Sequence, residues 1–137
     1  MMEHPWAEFS RFLKNALEGL LDPALQDVND FFAEEAVFEF PFAPPGLPKE
    51  LVGAEAIRAH LANLPDQIRI LKIGVPTVHH TLKPGVLILE YEVRGQAVTS
   101  GRPYDQRYIN VITLRDGRIV NFRDYWNPLV VLEALAS

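Results

Sequence analysis

The spacing of apolar residues changes period along the chain. Trp6, Phe9, Leu13, Ala16, Leu17 and Leu20 recur at helical intervals, and Pro5 suits a first helical position. Asp22-Pro23 then punctuates as N-cap and N1, and Leu25, Val28 and Phe32 predict a second, shorter helix. Residues 36–40 read as a short strand. Pro41 through Pro48 holds four prolines and a glycine, which makes it a loop. Gly53 opens a third helix with Ile57, Leu61 and Leu64 on one side, and Pro65 ends it. From Gln67 the period becomes two. Strands are predicted over residues 68–81, 86–98, 104–114 and 118–126, divided by Lys83-Pro84-Gly85, Ser100-Gly101-Arg102-Pro103 and Asp116-Gly117, the last a strong hairpin signal. After Asn127-Pro128, residues 129–135 form either a short terminal helix or an extended tail.

Helix, helix, strand, helix and then an antiparallel meander is an α+β order. It predicts a single domain over residues 1–137: three N-terminal helices packed on a strongly curved, mostly antiparallel sheet. The expected shape is a cone-shaped α+β barrel enclosing a pocket of the kind that takes small molecules.

Alternation assigns the faces. Leu87, Leu89, Tyr91 and Val93 share an inner face, opposite Glu90, Glu92 and Arg94. On the last strand Val120, Phe122, Asp124 and Trp126 share the better core face, opposite Ile119, Asn121, Arg123 and Tyr125. The strand before it reads two ways. Gln106, Tyr108 and Asn110 point inward and leave an apolar outer face for self-association, or Ile109 and Val111 fill the core. The first is preferred here. Phe38 and Phe40 are inner aromatics, with Glu39 on the other side.

Asp124 is therefore an acid among Phe and Trp. A buried carboxyl must be paired, hydrogen-bonded or protonated. A raised pKa in an apolar pocket suits a general acid or base at neutral pH. The alternative is a structural acid bonded to Tyr108, to a backbone amide, or to Arg107 or Arg123. His79-His80 are strand neighbours, so at most one faces the pocket. The four histidines make no metal-binding spacing.

Composition narrows the partners. The 137 residues, 48% hydrophobic and 23% charged, are enough for a core. A net charge of −5 argues against nucleic acid or an anionic membrane as partner. The absence of cysteine removes disulfides and thiolate chemistry. Glu3, Glu8, Arg11 and Lys14 interrupt any leader-like stretch, and no apolar run approaches the roughly 20 residues of a membrane helix. A cytoplasmic protein without cofactor or metal is expected.

Several motifs, together spanning nearly the whole chain, carry a resemblance. Val37-Phe38-Glu39-Phe40-Pro41, Pro44-Pro45-Gly46 and Gly53 before a helix form its first half. Tyr108-Ile109-Asn110-Val111, Asp116-Gly117-Arg118-Ile119 and Arg123-Asp124-Tyr125-Trp126-Asn127-Pro128 form its second. The chain resembles SnoaL-like and ketosteroid isomerase-like proteins of the nuclear transport factor 2-like superfamily. That superfamily also includes polyketide cyclases, limonene epoxide hydrolases and phenazine biosynthesis proteins of the A/B type. Such folds host enzymes and non-enzymes. The resemblance implies an acid at or near Asp124. The isomerases' base position is occupied here by Phe40, and the third-strand pair of the epoxide hydrolases by Tyr91 and Val93.

Two functions follow. One is a cofactor-free isomerase, cyclase or dehydratase acting by proton transfer beside the carbonyl of an apolar, even polycyclic, ligand. Asp124 would be its acid/base, Tyr108 and Asn110 its hydrogen-bond donors, and Phe38, Phe40, Tyr91, Val93, Phe122 and Trp126 its binding surface. The other is a non-catalytic binding or dimerisation module of the same fold. Either is expected as a homodimer through the outer sheet face.

Overall fold

The structure is a computed structural model that describes residues 6–136. Pro5 and Glu3, invoked above, lie outside the described residues. The first helix, α1, spans Ala7–Ala16, with Glu8 in its first turn and Lys14 in its last, each favourable to the helix dipole. Leu13 and Leu17 are buried without residual exposure. Ser10 sits on the same face. Its Oγ donates to the Trp6 carbonyl at 2.7 Å and accepts from the Val28 amide at 2.9 Å, so the buried hydroxyl is satisfied.

The second predicted helix is not formed. Only a 3-10 turn over Val28–Asp30 appears, and Phe32 already begins a strand. Local side-chain bonding explains this. The Asp22 and Asp27 carboxylates accept the amides of Ala24 and Asn29, two residues on, at 3.0 and 2.8 Å. Such turns compete with helix propagation.

The strands are β1 (Phe32–Glu39), β2 (Glu50–Val52), β3 (Ile68–Ile73), β4 (Thr77–His80), β5 (Val86–Ala97), β6 (Gln106–Arg115) and β7 (Arg118–Trp126); helix α2 is Ala54–Asn63 and helix α3 is Pro128–Leu135. They form one sheet in the order β2-β1-β7-β6-β5-β3, with β4 also on β5. Strand β1 runs parallel to β7, and the other pairings are antiparallel.

This corrects the expected architecture. The sheet is open, with β2 at one end and β3 at the other, and it is neither closed nor strongly curled into a cone-shaped barrel. It is mixed, because residues far apart in sequence place β1 beside β7. Two of the three helices precede the long strands, and the third follows β7. The expected strand over residues 68–81 is two, broken at Gly74–Pro76, where Pro76 has no amide to donate; both pieces pair with the long β5. The terminal segment is helical, its start capped by Asn127 Oδ1 accepting the Leu129 amide at 2.9 Å.

On the inner face, β5 alternates as expected, with Leu87, Leu89, Tyr91 and Val93 buried and Glu90 and Glu92 exposed. The first part of β7 does not. The register shifts between Thr113 and Leu114, which pair with Asn121 and Ile119. Val120 is thus an extra residue in the ladder. Such a bulge flips the parity before it, so Ile119 is fully buried and Val120 only partly. From Phe122 onward the alternation returns. Phe122 and Phe38, paired across the β1–β7 ladder, stack with ring centroids 4.6 Å apart.

Two glycines with similar left-handed backbones separate conformational strain from packing. Gly85 has φ +78° and a Cβ there would stand 2.6 Å from the Leu114 carbonyl oxygen, whereas Gly101 has φ +75° and open space. We expect Gly101→Ala to cost about 1 kcal/mol in urea unfolding, the usual penalty of a left-handed residue. Gly85→Ala should cost about 2–4 kcal/mol, since backbone overlap adds to that penalty. Equal losses would sink the packing argument.

Candidate functional site

The site is assembled by register. Asn110 on β6 stands between Leu89 on β5 and Asp124 on β7, and in the next row Tyr108 stands between Tyr91 and Trp126. All six share the inner face. The β6 face carrying Gln106 and Asn110 is the buried one, with Ile109 exposed opposite it. Asn110 Nδ2 donates to Asp124 Oδ1 at 2.7 Å. The Tyr91 hydroxyl, diagonal to Asn110 across the β5–β6 ladder, donates to Asn110 Oδ1 at 2.6 Å. These two bonds fix which way the amide points. Tyr91 is itself held between rings: it stacks on Tyr108 at 5.4 Å and meets the edge of Phe12 from α1 at 4.7 Å.

Neither arginine considered from sequence pairs with Asp124. Arg123 bonds Glu39 at 3.4 Å and Arg107 pairs with Glu92, both on the outer side. The Asp124 carboxyl receives neutral donors, Asn110 and the Trp126 side chain, and burial outweighs both, pushing it up to about 8. Ionised or protonated, it stays within the reach of physiological pH.

A second set of hydroxyls lies beside it. The Tyr104 and Tyr108 hydroxyl oxygens are 2.7 Å apart. The Gln106 side chain also hydrogen-bonds Tyr104. Gln106 donates to Tyr104, and either of the Tyr104 and Tyr108 hydroxyls can donate to the other. Burial raises the pKa of Tyr91, Tyr104 and Tyr108, so all three remain proton donors. Gln106 also ties down α3: its Nε2 donates to the Asn127 carbonyl at 3.0 Å and its Oε1 accepts the Asn127 amide at 2.9 Å. That sets Val131 and Leu135 as wall residues.

Two adjoining chambers open on these groups. One has a volume of about 130 Å³ and reaches Ile68, Tyr104, Trp126, Val131 and Leu135. The other, about 90 Å³, reaches Trp6, Phe9, Phe32, Ile70 and Ile73. Five residues line both: Phe40, His60, Leu64, Tyr108 and Asp124. Asp124 keeps some accessible surface, and that surface opens onto the chambers.

Of the residues expected to bind a ligand, Phe38, Tyr91, Val93 and Phe122 line the smaller chamber, Trp126 the larger and Phe40 both. Asn110 lines neither and stands behind Asp124. Glu39 lies away from the chambers, accepting from Asn121 at 3.0 Å. His79 pairs with Glu90 and His80 is exposed, so neither enters. The histidine that does enter is His60, passed over in the sequence. Its position, three after Ile57 and four before Leu64, marked it as part of the α2 apolar face. Its ring lies 5.3 Å from that of Phe40, and burial lowers its pKa, keeping it neutral. Among the described residues no group of three His, Cys, Asp or Glu is placed to hold a metal, and no helix is long and apolar enough to cross a membrane.

Comparison with known proteins matches this geometry to a family. The model of the SnoaL-like domain matches residues 11–122. The chain is 39% identical over its full length to YesE of Bacillus subtilis, covering 93% of that protein. It is 42% identical over 108 residues to a PhzA/B-like protein of Pseudomonas aeruginosa, covering 79% of this chain and 76% of that one. A Bacillus subtilis crystal structure, provisionally named an isomerase, superposes with a TM-score of 0.79 at 39% identity, over 96% of this chain and 95% of that one. A phenazine biosynthesis-related protein of Pseudomonas aeruginosa shares the fold at a TM-score of 0.68 and 19% identity, over 98% of this chain and 87% of that one. Folds bearing nuclear transport factor 2-like, ketosteroid isomerase-like and polyketide cyclase names align as well. With an open α+β sheet, an apolar two-chambered pocket and a family match over most of its length, the chain belongs to the SnoaL-like family.

Proposed function

We propose that the protein is a cofactor-free acid–base catalyst that moves a proton beside the carbonyl of an apolar ligand. The observation that carries this reading is the Asp124 carboxyl: it lines both chambers, has no cationic partner in its hydrogen bonds, and titrates near 8. Ionised Asp124 takes the proton from the carbon next to the carbonyl. The electron pair of that C–H bond forms the C=C of an enolate, and the Tyr108 hydroxyl donates to the oxygen as charge develops there. Return of the proton to another carbon completes an isomerisation. The Bacillus subtilis structure provisionally named an isomerase supports that outcome over cyclisation or dehydration.

Asn110 and Tyr91 take a different part from Tyr108. Their donors already point into the protein, Tyr91 to Asn110 and Asn110 to Asp124. They are positioning residues that set the direction and basicity of the carboxyl. A non-catalytic ligand-binding module is the rival reading, and self-association through the outer face is a proposal of the same standing. Ile109 is exposed there, beside the pair Arg107–Glu92.

A bicyclic ketone, β-tetralone, in D2O tests the chemistry without knowledge of the natural substrate. The protein should accelerate exchange of the protons next to the carbonyl. Asp124→Asn should lose about 100-fold or more of that rate, the usual contribution of a general base. Because the base must be ionised, the wild-type rate should climb with pH and level off above about 8.

Stability gives a second readout. The folded-state pKa of Asp124 lies above its ordinary 3.8, so the folded chain holds a proton that the unfolded chain has released. Its contribution to stability is full below about 4 and falls as pH rises towards about 8. Asp124→Asn should flatten that fall. At pH 8 it should melt no lower than wild type and gain at least about 1 kcal/mol, since one pKa unit is about 1.4 kcal/mol. A variant destabilised at every pH would make Asp124 a structural acid.

Tyr91→Phe removes the bond that orients Asn110. The expected stability loss is about 1 kcal/mol. The midpoint of the exchange–pH curve should move upward, because a loosened Asn110 stabilises the carboxylate less. An unmoved midpoint would leave Tyr91 a packing residue only.

A further inference from the structure

The charge and division of the cavity specify what fits it, and this inference rests on the reading of Asp124 and Tyr108 as the reacting pair. We propose that the site takes one uncharged ligand with two apolar lobes, one in each chamber, joined by a carbon bearing a single oxygen.

Three observations carry this. First, Tyr108 and Asp124 line both chambers, so they stand where the chambers meet. An oxygen held there lies between the lobes rather than at the end of the molecule. Second, the far ends are apolar. Trp6, Phe9 and Phe32 close one, and Ile68, Val131 and Leu135 bound the other. The polar atoms near them have partners within the protein: Trp6 Nε1 donates to the Leu61 carbonyl at 2.8 Å, and the Tyr104 hydroxyl pairs with Tyr108. The one further polar side chain at these ends is Gln67, exposed and uncharged beside Ile68, so a terminal carboxylate would find no cation there. Third, no lysine or arginine lines either chamber among the described residues, and His60 is kept neutral by burial. A buried anion would be unpaired, and it would face Asp124 as well. An ammonium would be welcome only beside ionised Asp124. At neutral pH the groups around that carboxyl, Tyr91 from β5, Asn110 and Tyr108 from β6, His60 from α2 and Trp126, are all uncharged.

Benzophenone, two rings on a carbonyl carbon, is the matched probe. Its partners are 4-benzoylbenzoate, diphenylmethylamine and the one-lobed acetophenone. Calorimetry at pH 7 should find benzophenone bound at least tenfold more tightly than the carboxylate or the ammonium. Leu135→Trp narrows the larger chamber from an exposed position and Ile73→Trp the smaller from a partly exposed one. Each should weaken benzophenone tenfold or more while leaving acetophenone bound, which also reports that the variant is folded. Equal or tighter binding of the carboxylate or the ammonium overturns the charge assignment. Loss of benzophenone from only one of the two variants overturns the two-lobed ligand, as does failure of both ketones to bind wild type. Benzophenone binding without proton exchange in β-tetralone would instead remove the catalytic reading and leave this one in place.

Discussion

The bond from Asn110 to Asp124 is the contact on which the site depends. A carboxyl on the apolar face of a sheet needs a partner, and a cation there would hold it ionised and inert at neutral pH. Asn110 supplies a neutral donor at 2.7 Å and is itself oriented by Tyr91. The carboxyl is satisfied, yet burial still raises its pKa to about 8. Arg107 and Arg123, which could have quenched it, belong to the other face and pair with glutamates.

The same two strands build the cavity. Registry on β6 puts Asn110 beside Asp124 and Tyr108 beside Trp126, so polarity is confined to the middle of an otherwise apolar surface. Gln106 extends the row and anchors the start of α3, which walls the larger chamber. A polar stripe on one strand thus does three jobs: it satisfies the acid, orders the tyrosine hydroxyls and docks the helix. Those demands explain why an inward strand face carries Gln, Tyr and Asn where core hydrophobes would be expected.

That stripe is also where the sequence was hardest to read. On β5 alternation alone separates Leu87, Leu89, Tyr91 and Val93 from the glutamates between them. On β6 both faces are plausible cores, and only packing against β7 and α3 decides. The α+β class, the long strands and the first and third helices follow from period and turn residues. The parallel pairing of β1 with β7, and the open sheet it belongs to, depend on contacts between distant residues that no local period records. The lost helix after Asp22 turned on two side-chain bonds, and Ile119 replaced Val120 in the core through one bulged residue. His60 lies in the α2 stripe, where helical spacing marks a core position and carries no sign that the ring reaches a cavity.

A buried acid with a pKa near 8 is a burden on the fold at the pH where the cell works, because ionising it removes native stability. A chain selected only for stability would place an amide or a hydrophobe there, and Asn110 is already positioned to bond an amide equally well. The surroundings instead combine an apolar, largely desolvated setting with uncharged donors, which raises the carboxyl to about 8. That balance has no structural benefit of its own. It is the balance that the proposed proton transfer requires of its acid–base group.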